Sequence, residues 1–154
     1  MTRPWTLAVG MLLAAFATGC AEGTSLPAGL GALPSLCSAY TDVVDEFPLD
    51  IPASEDNAGR NLEAERVVEQ LRAETASLRD AVATVGPSRT KEAFERFVQE
   101  TARSLQTAAT EAGRIGAPLD WLEVQRRLNA SVEGADERLR ESMNDVGVDL
   151  REEC

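Results

Sequence analysis

From about residue 36 to the C-terminus, apolar side chains recur every three or four positions with polar residues between them. That is the period of amphipathic helices, and no β-branched or aromatic run alternates with period two. A first helix is predicted from Leu36 to Phe47, with Leu36, Tyr40, Val43, Val44 and Phe47 on one face. Pro48 and Pro52 break it and leave a polar loop over 48–58. A second, from Asn61 to Val85, carries the seam Ala64, Val68, Leu71, Thr75, Leu78, Val82 and Val85. Gly86-Pro87 stops it, with glycine expected in the left-handed cap and proline unable to continue.

The third helix starts after Pro87, where Ser88 or Thr90 is the expected cap. Its seam is Phe94, Val98, Thr101, Leu105, Ala108, Ala112 and Ile115, widened by Phe97, Ala102 and Ala109, and Gly113, Gly116 and Pro118 end it. The fourth opens on Asp120-Trp121-Leu122-Glu123, a capping-box pattern with aspartate as the cap. Trp121, Val124, Leu128, Val132, Ala135, Leu139, Met143 and Val146 form the cleanest seam in the chain, and Gly147 is its expected terminator.

One short and three long helices joined by short turns predict an all-α fold, an up-down four-helix bundle over residues 36–154. In such a bundle the start of the first helix and the end of the last share one end. Cys37 lies in the first turn of helix one and Cys154 just beyond helix four, so a disulfide between them fits the topology.

Residues 1–19 have a different character. Arg3 is the only charged residue before Cys20, and an apolar run, Trp5 to Gly19, follows it. The run falls short of the about 20 apolar residues that span a bilayer. A charged start, a short apolar stretch and small residues before a cut site describe a secretory signal peptide. Ala17-Thr18-Gly19-Cys20 resembles the lipobox of bacterial lipoproteins, with Ala17 where leucine is usual. The resemblance implies a diacylglyceryl thioether on Cys20, cleavage just before it and a cell-membrane anchor. It also implies an extracytoplasmic location and acylation with chains such as palmitate. The alternatives are cleavage after Ala17, using Ala15-Phe16-Ala17, and an uncleaved anchor. Of the three cysteines, lipidation consumes one and leaves Cys37 and Cys154, an even number suited to an oxidising compartment. Residues 20–35, the lipidated cysteine and a Gly-, Ala- and Pro-rich stretch, read as a flexible tether.

Composition then narrows the function. With 26 acidic and 15 basic residues the net charge is −11, which argues against binding nucleic acid through its phosphates. The absence of histidine removes the commonest general base and metal ligand. Ser88-Arg89-Thr90-Lys91 holds the only lysine and reads as a helix cap rather than a Ser–Lys dyad. The stretch Ser54 to Glu65 has the glycine and final glutamate of an EF-hand loop, but serine and alanine stand at two ligand positions. Arg126, Arg127, Arg138 and Arg140 are surrounded by acids on the same helix, so intrahelical pairing is expected. Asn129-Ala130-Ser131 matches a glycosylation sequon but lies within a helix.

Two features stand out from that background. Ala102, Ala108, Ala109 and Ala112 give helix three a small face, suited to close helix packing or to a ligand groove. Tyr40 and Trp121 are the large amphipathic aromatics of the helical part, and core packing is the better account of Trp121. The chain also resembles small helical lipoproteins of high-GC Gram-positive bacteria, a resemblance that assigns no reaction. No cofactor or catalytic constellation is expected. The expected role is a non-enzymatic binding or scaffolding module whose partners are the bilayer, through Cys20, and an envelope protein. The alternative is a lipoprotein holding a small apolar ligand or cation in a bundle groove.

Overall fold

In the computed structural model, which describes residues 30–50, 57–112 and 121–154, every regular element is helical. A 3₁₀ turn, Leu30–Ala32, leads into α1 (Leu33–Val44), and α2 (Asn57–Ala83), α3 (Arg89–Ala112) and α4 (Trp121–Asn144) follow. A four-residue α5 (Leu150–Glu153) closes the chain. Each long helix packs against its neighbour in sequence, and α1 packs against α2, so the all-α bundle is as expected. Among the described residues no helix is long and apolar enough to cross a membrane. The signal peptide, Cys20, most of the tether, Ser54–Asp56, Gly113, Ile115, Gly116, Pro118 and Asp120 lie outside the described residues.

Several ends differ from the periodic reading, each for a local reason. Helix α1 begins at Leu33 rather than Leu36, because Pro34 falls in its first turn, where a missing N–H leaves nothing unsatisfied. The expected tether therefore loses residues 30–35 to helical structure. At the other end α1 stops at Val44, and Phe47 packs from a turn closed by its N–H on the Val44 carbonyl at 3.0 Å. Helix α2 starts at Asn57, before its expected start at Asn61; its first turn holds no large apolar residue to mark it. It ends at Ala83 without a left-handed glycine, since Gly86 has no positive φ. Instead, Thr84 and Val85 tighten the last turn by donating to the carbonyls three residues back, and Lys91 Nζ reaches the Val85 carbonyl at 3.1 Å.

The choice between caps for α3 falls to Ser88, whose Oγ accepts from the Lys91 N–H at 3.1 Å, while Thr90 is buried. Gly147 does terminate α4. Its φ is +82°, its N–H donates to the Asn144 carbonyl at 2.9 Å, and the Val148 N–H donates to Met143 at 3.0 Å. This is a Schellman motif, with buried Met143 and Val148 as its apolar pair. Asp149 then caps α5 through the Arg151 N–H.

Helix α1, with 12 residues, is about 18 Å long, whereas the 24 to 27 residues of the others make them about 36–40 Å long. The core divides accordingly. One cluster joins α1 to Leu78, Val82, Phe94, Phe97, Leu139 and Met143 at the stapled end. The other gathers Ala64, Leu71, Leu105, Val124 and Leu128 under Leu49, which takes the place that α1 is too short to fill. Phe47 touches both clusters. Between them on α2 and α3 stand Thr75 and Thr101, 3% and 0% exposed, whose hydroxyl oxygens have no hydrogen-bond partner.

Candidate functional site

The four-helix end is closed by the expected disulfide. Cys37 and Cys154 are bonded with their Cα atoms 5.0 Å apart, joining the first turns of α1 to the residue after α5. Cys37 is buried among core residues, while Cys154 is exposed. Beside this staple Tyr40, 3% exposed, stacks edge-on against Phe94 and Phe97 at 6.1 and 5.7 Å between centroids. Its hydroxyl donates to Asp136 Oδ1, and Asp136 Oδ2 accepts from Arg140 at 2.8 Å. Burial, reinforced by the bond to Asp136 and its negative charge, pushes the Tyr40 hydroxyl well above its ordinary 10.0. For Arg140 burial opposes the charge, but hydrogen bonding to Asp136 and Tyr40 outweighs it and holds its pKa above the usual value.

A groove of about 370 Å³ opens next to this triad, between the end of α1 and the face of α4. Val44, Phe47, Pro48 and Val132 give it apolar walls, and Asp45, Glu133 and Asp136 make it acidic. The polar atoms of the triad converge on one another: both Asp136 oxygens are engaged by Tyr40 and Arg140. The network therefore locks α1 to α4. Asn129 does the same for the following segment. Its side-chain oxygen accepts from the Leu49 N–H at 2.9 Å, its Nδ2 donates to the Leu49 carbonyl at 3.1 Å, and Gln125 reaches that carbonyl at 2.6 Å. The sequon asparagine is thus a pin for residues 47–50. Its only sequence signal is a carboxamide bordering the apolar seam at Leu128 and Val132.

The residues singled out for chemistry are dispersed. Lys91 does not meet Ser88 through its ammonium group, which instead bonds the Val85 carbonyl and lies 3.8 Å from Glu95. Arg126 pairs with Glu123 and Arg140 with Asp136 along α4, as expected. Arg127 keeps an intrahelical pair with Glu123 at 3.7 Å and also reaches α3, to Glu111 at 2.8 Å, whereas Arg138 pairs with Glu100 of α3 at 2.6 Å. That corrects the intrahelical reading for Arg138, because the α3–α4 packing brings an acid of α3 onto it. No group of three His, Cys, Asp or Glu residues suited to a metal forms among the described residues.

The small face of α3 does not make one groove. Ala108 lies between α3 and α4, in a space of about 260 Å³ crossed by the Arg127–Glu111 pair. Ala109 packs against the second core cluster. Ala102 is exposed and lines a wider groove of about 470 Å³ between α2 and α3. The side chains of Ala112 and Trp121 lie outside the described set. No family model matches the chain, and neither does any curated protein or solved structure.

Proposed function

We propose that this chain is a lipoprotein anchored through Cys20 on the extracytoplasmic face of the cell membrane, with its acidic bundle serving as a non-enzymatic binding or scaffolding module. The observation that carries the reading is the Cys37–Cys154 disulfide. Such bonds persist in oxidising compartments, and this one engages both cysteines of the bundle. Cys20 is left as the single cysteine outside it, directly after Ala17-Thr18-Gly19. A thioether-linked diacylglycerol supplies two chains, enough for stable anchoring. A domain of charge −11 is repelled by anionic head groups, so it faces away from the bilayer.

Intact mass and detergent phase partitioning of the chain from a bacterial host test the anchor. The expected species begins at Cys20, carries the diacylglyceryl mass and enters the detergent phase. A species that begins at Thr18 and carries no lipid overturns it. Crosslinking in intact cells then identifies the envelope partner.

A second reading, a ligand held in a bundle groove, draws on one further observation. The space beside Ala102 lies over the junction of the two core clusters, where packing is interrupted.

A further inference from the structure

The groove between α2 and α3 reverses the charge of the molecule around it. The chain carries −11, yet the groove wall contains Arg72, Arg79 and Arg103 and no carboxylate. Arg72 is partly spoken for, donating to Gln106 Oε1 at 2.7 Å and standing 3.4 Å from Glu69. Arg79 has only a loose approach to Asp80, 3.6 Å away with both side chains mostly exposed. The Arg103 guanidinium has no partner among the described residues. Two of the three arginines can therefore turn to a ligand without breaking a strong ion pair.

The floor is apolar and small. Ala76, Val98, Ala102 and Leu105 line it, leaving about 470 Å³, within the usual range for small-molecule sites of about 300–1,000 Å³. Thr75 also lines it, almost wholly buried and with a hydroxyl that no protein group satisfies. A buried hydroxyl without a partner is costly, and a ligand oxygen is a partner it lacks. Val98 belongs to the core cluster at the stapled end and Leu105 to the other, so the groove follows the seam between them.

We infer that this groove binds an anionic amphiphile, a long-chain carboxylate whose head group pairs with Arg79 and Arg103 while its alkyl chain lies on the alanine floor. Guanidinium groups bind carboxylates through paired N–H donors, which suits a head group of that geometry. The inference rests on the second reading above and narrows its ligand, an apolar molecule or a cation in the sequence alternative, to an anionic amphiphile.

Three photoactivatable probes with the same diazirine-bearing sixteen-carbon chain test it: the carboxylate, the alcohol and the primary amine. Each is applied to the full chain purified in non-ionic detergent, and adducts are mapped by peptide mass. The expected result is carboxylate adducts on residues 72–79 and 98–106, with alcohol and amine labelling there lower by about tenfold. Arg79→Gln with Arg103→Gln, both at exposed positions, lowers carboxylate labelling by a similar factor while helicity and melting temperature hold. Labelling of the groove by all three probes, or carboxylate labelling unchanged in the double variant, overturns the anionic assignment and leaves a ligand groove. Absence of labelling in the groove by any probe overturns both. Ala102→Trp, which fills the groove from an exposed position, must abolish the groove adducts; their persistence places the ligand elsewhere.

Discussion

Removing the disulfide gives the most quantitative test of how this bundle is held together. Cys37 and Cys154 are separated by 117 positions, so in the unfolded chain the bond closes almost the whole helical part into a loop. On the chain-entropy account a loop of that size destabilises the unfolded ensemble by about 5 kcal/mol. Natural domains are stable by only about 5–15 kcal/mol, so the bond accounts for a large part of the whole. A Cys37→Ala/Cys154→Ala variant avoids leaving one free thiol. It adds a small packing loss at Cys37, which is buried in the first core cluster, and almost none at exposed Cys154. Urea unfolding followed by helical circular dichroism, with linear extrapolation to water, reads the difference. The variant should lose about 5 kcal/mol and unfold with a steeper slope, because its unlinked denatured state exposes more surface. The corresponding drop in melting temperature is about 10–20 °C for a chain of this size. A loss below about 1 kcal/mol with an unchanged slope would refute the argument. It would mean that the packed ends already meet in the denatured state or that the bond is absent.

Gly147→Ala should cost about 1–2 kcal/mol, since its φ of +82° forces a side chain into the left-handed region. Gly86→Ala should be neutral or stabilise by about 0.4–1 kcal/mol, because a Cβ there meets nothing within 4 Å and the backbone is ordinary. A chemical-denaturation comparison in which both variants lose equally would contradict the Schellman assignment. Tyr40 is the only tyrosine, so phenolate absorbance reports it alone. Its raised pKa means that the unfolded chain releases the proton first, near pH 10, while the folded chain keeps it. The Tyr40 contribution to stability is thus fully present below about pH 10 and is lost as pH rises towards the folded value. Titration of folded Tyr40 at its ordinary value would sink the buried Asp136 bond, and Asp136→Asn should bring the titration down.

What was legible in the sequence followed from periodicity. The seams of α2, α3 and α4 mark buried positions because a helix repeats faces every three or four residues, and Val68, Leu105, Leu128 and Leu139 are all buried. Ends were less legible, because they depend on groups outside the period: Pro34 in the first turn of α1, or Lys91 reaching the Val85 carbonyl. The grooves were legible only from one wall, since Ala102 and Ala108 each line one but the residues facing them could not be read. Tyr40 and Asp136 are 96 positions apart, and Asn129 meets Leu49 across 80. Such pairs depend on the axial register of packed helices, to which a single helix's pattern is blind. The alanines of α3 show the same limit. They share a stretch of one helix, but α2 and α4 flank it on different sides and divide Ala102 from Ala108.

Register also links the proposed anchor to the proposed groove. The chain enters the bundle at Leu30–Leu33, beside the staple, so the stapled end is the one joined to Cys20. The ten residues from Cys20 to Gly29 extend at most roughly 35 Å. The groove lies at Thr75, in the last third of α2, and at Ala102, near the middle of α3. It is therefore roughly 12–20 Å from the stapled end. For the groove to reach a head-group layer, the bundle must approach the bilayer side-on. The −11 charge of the chain opposes that approach on every face except one poor in carboxylates. The α2–α3 groove, whose lining holds three arginines and no carboxylate, is where that opposition is weakest. A tethered domain that meets the membrane by this face would take an anionic amphiphile from the bilayer without crossing it, and raising salt should weaken the capture by screening the arginines.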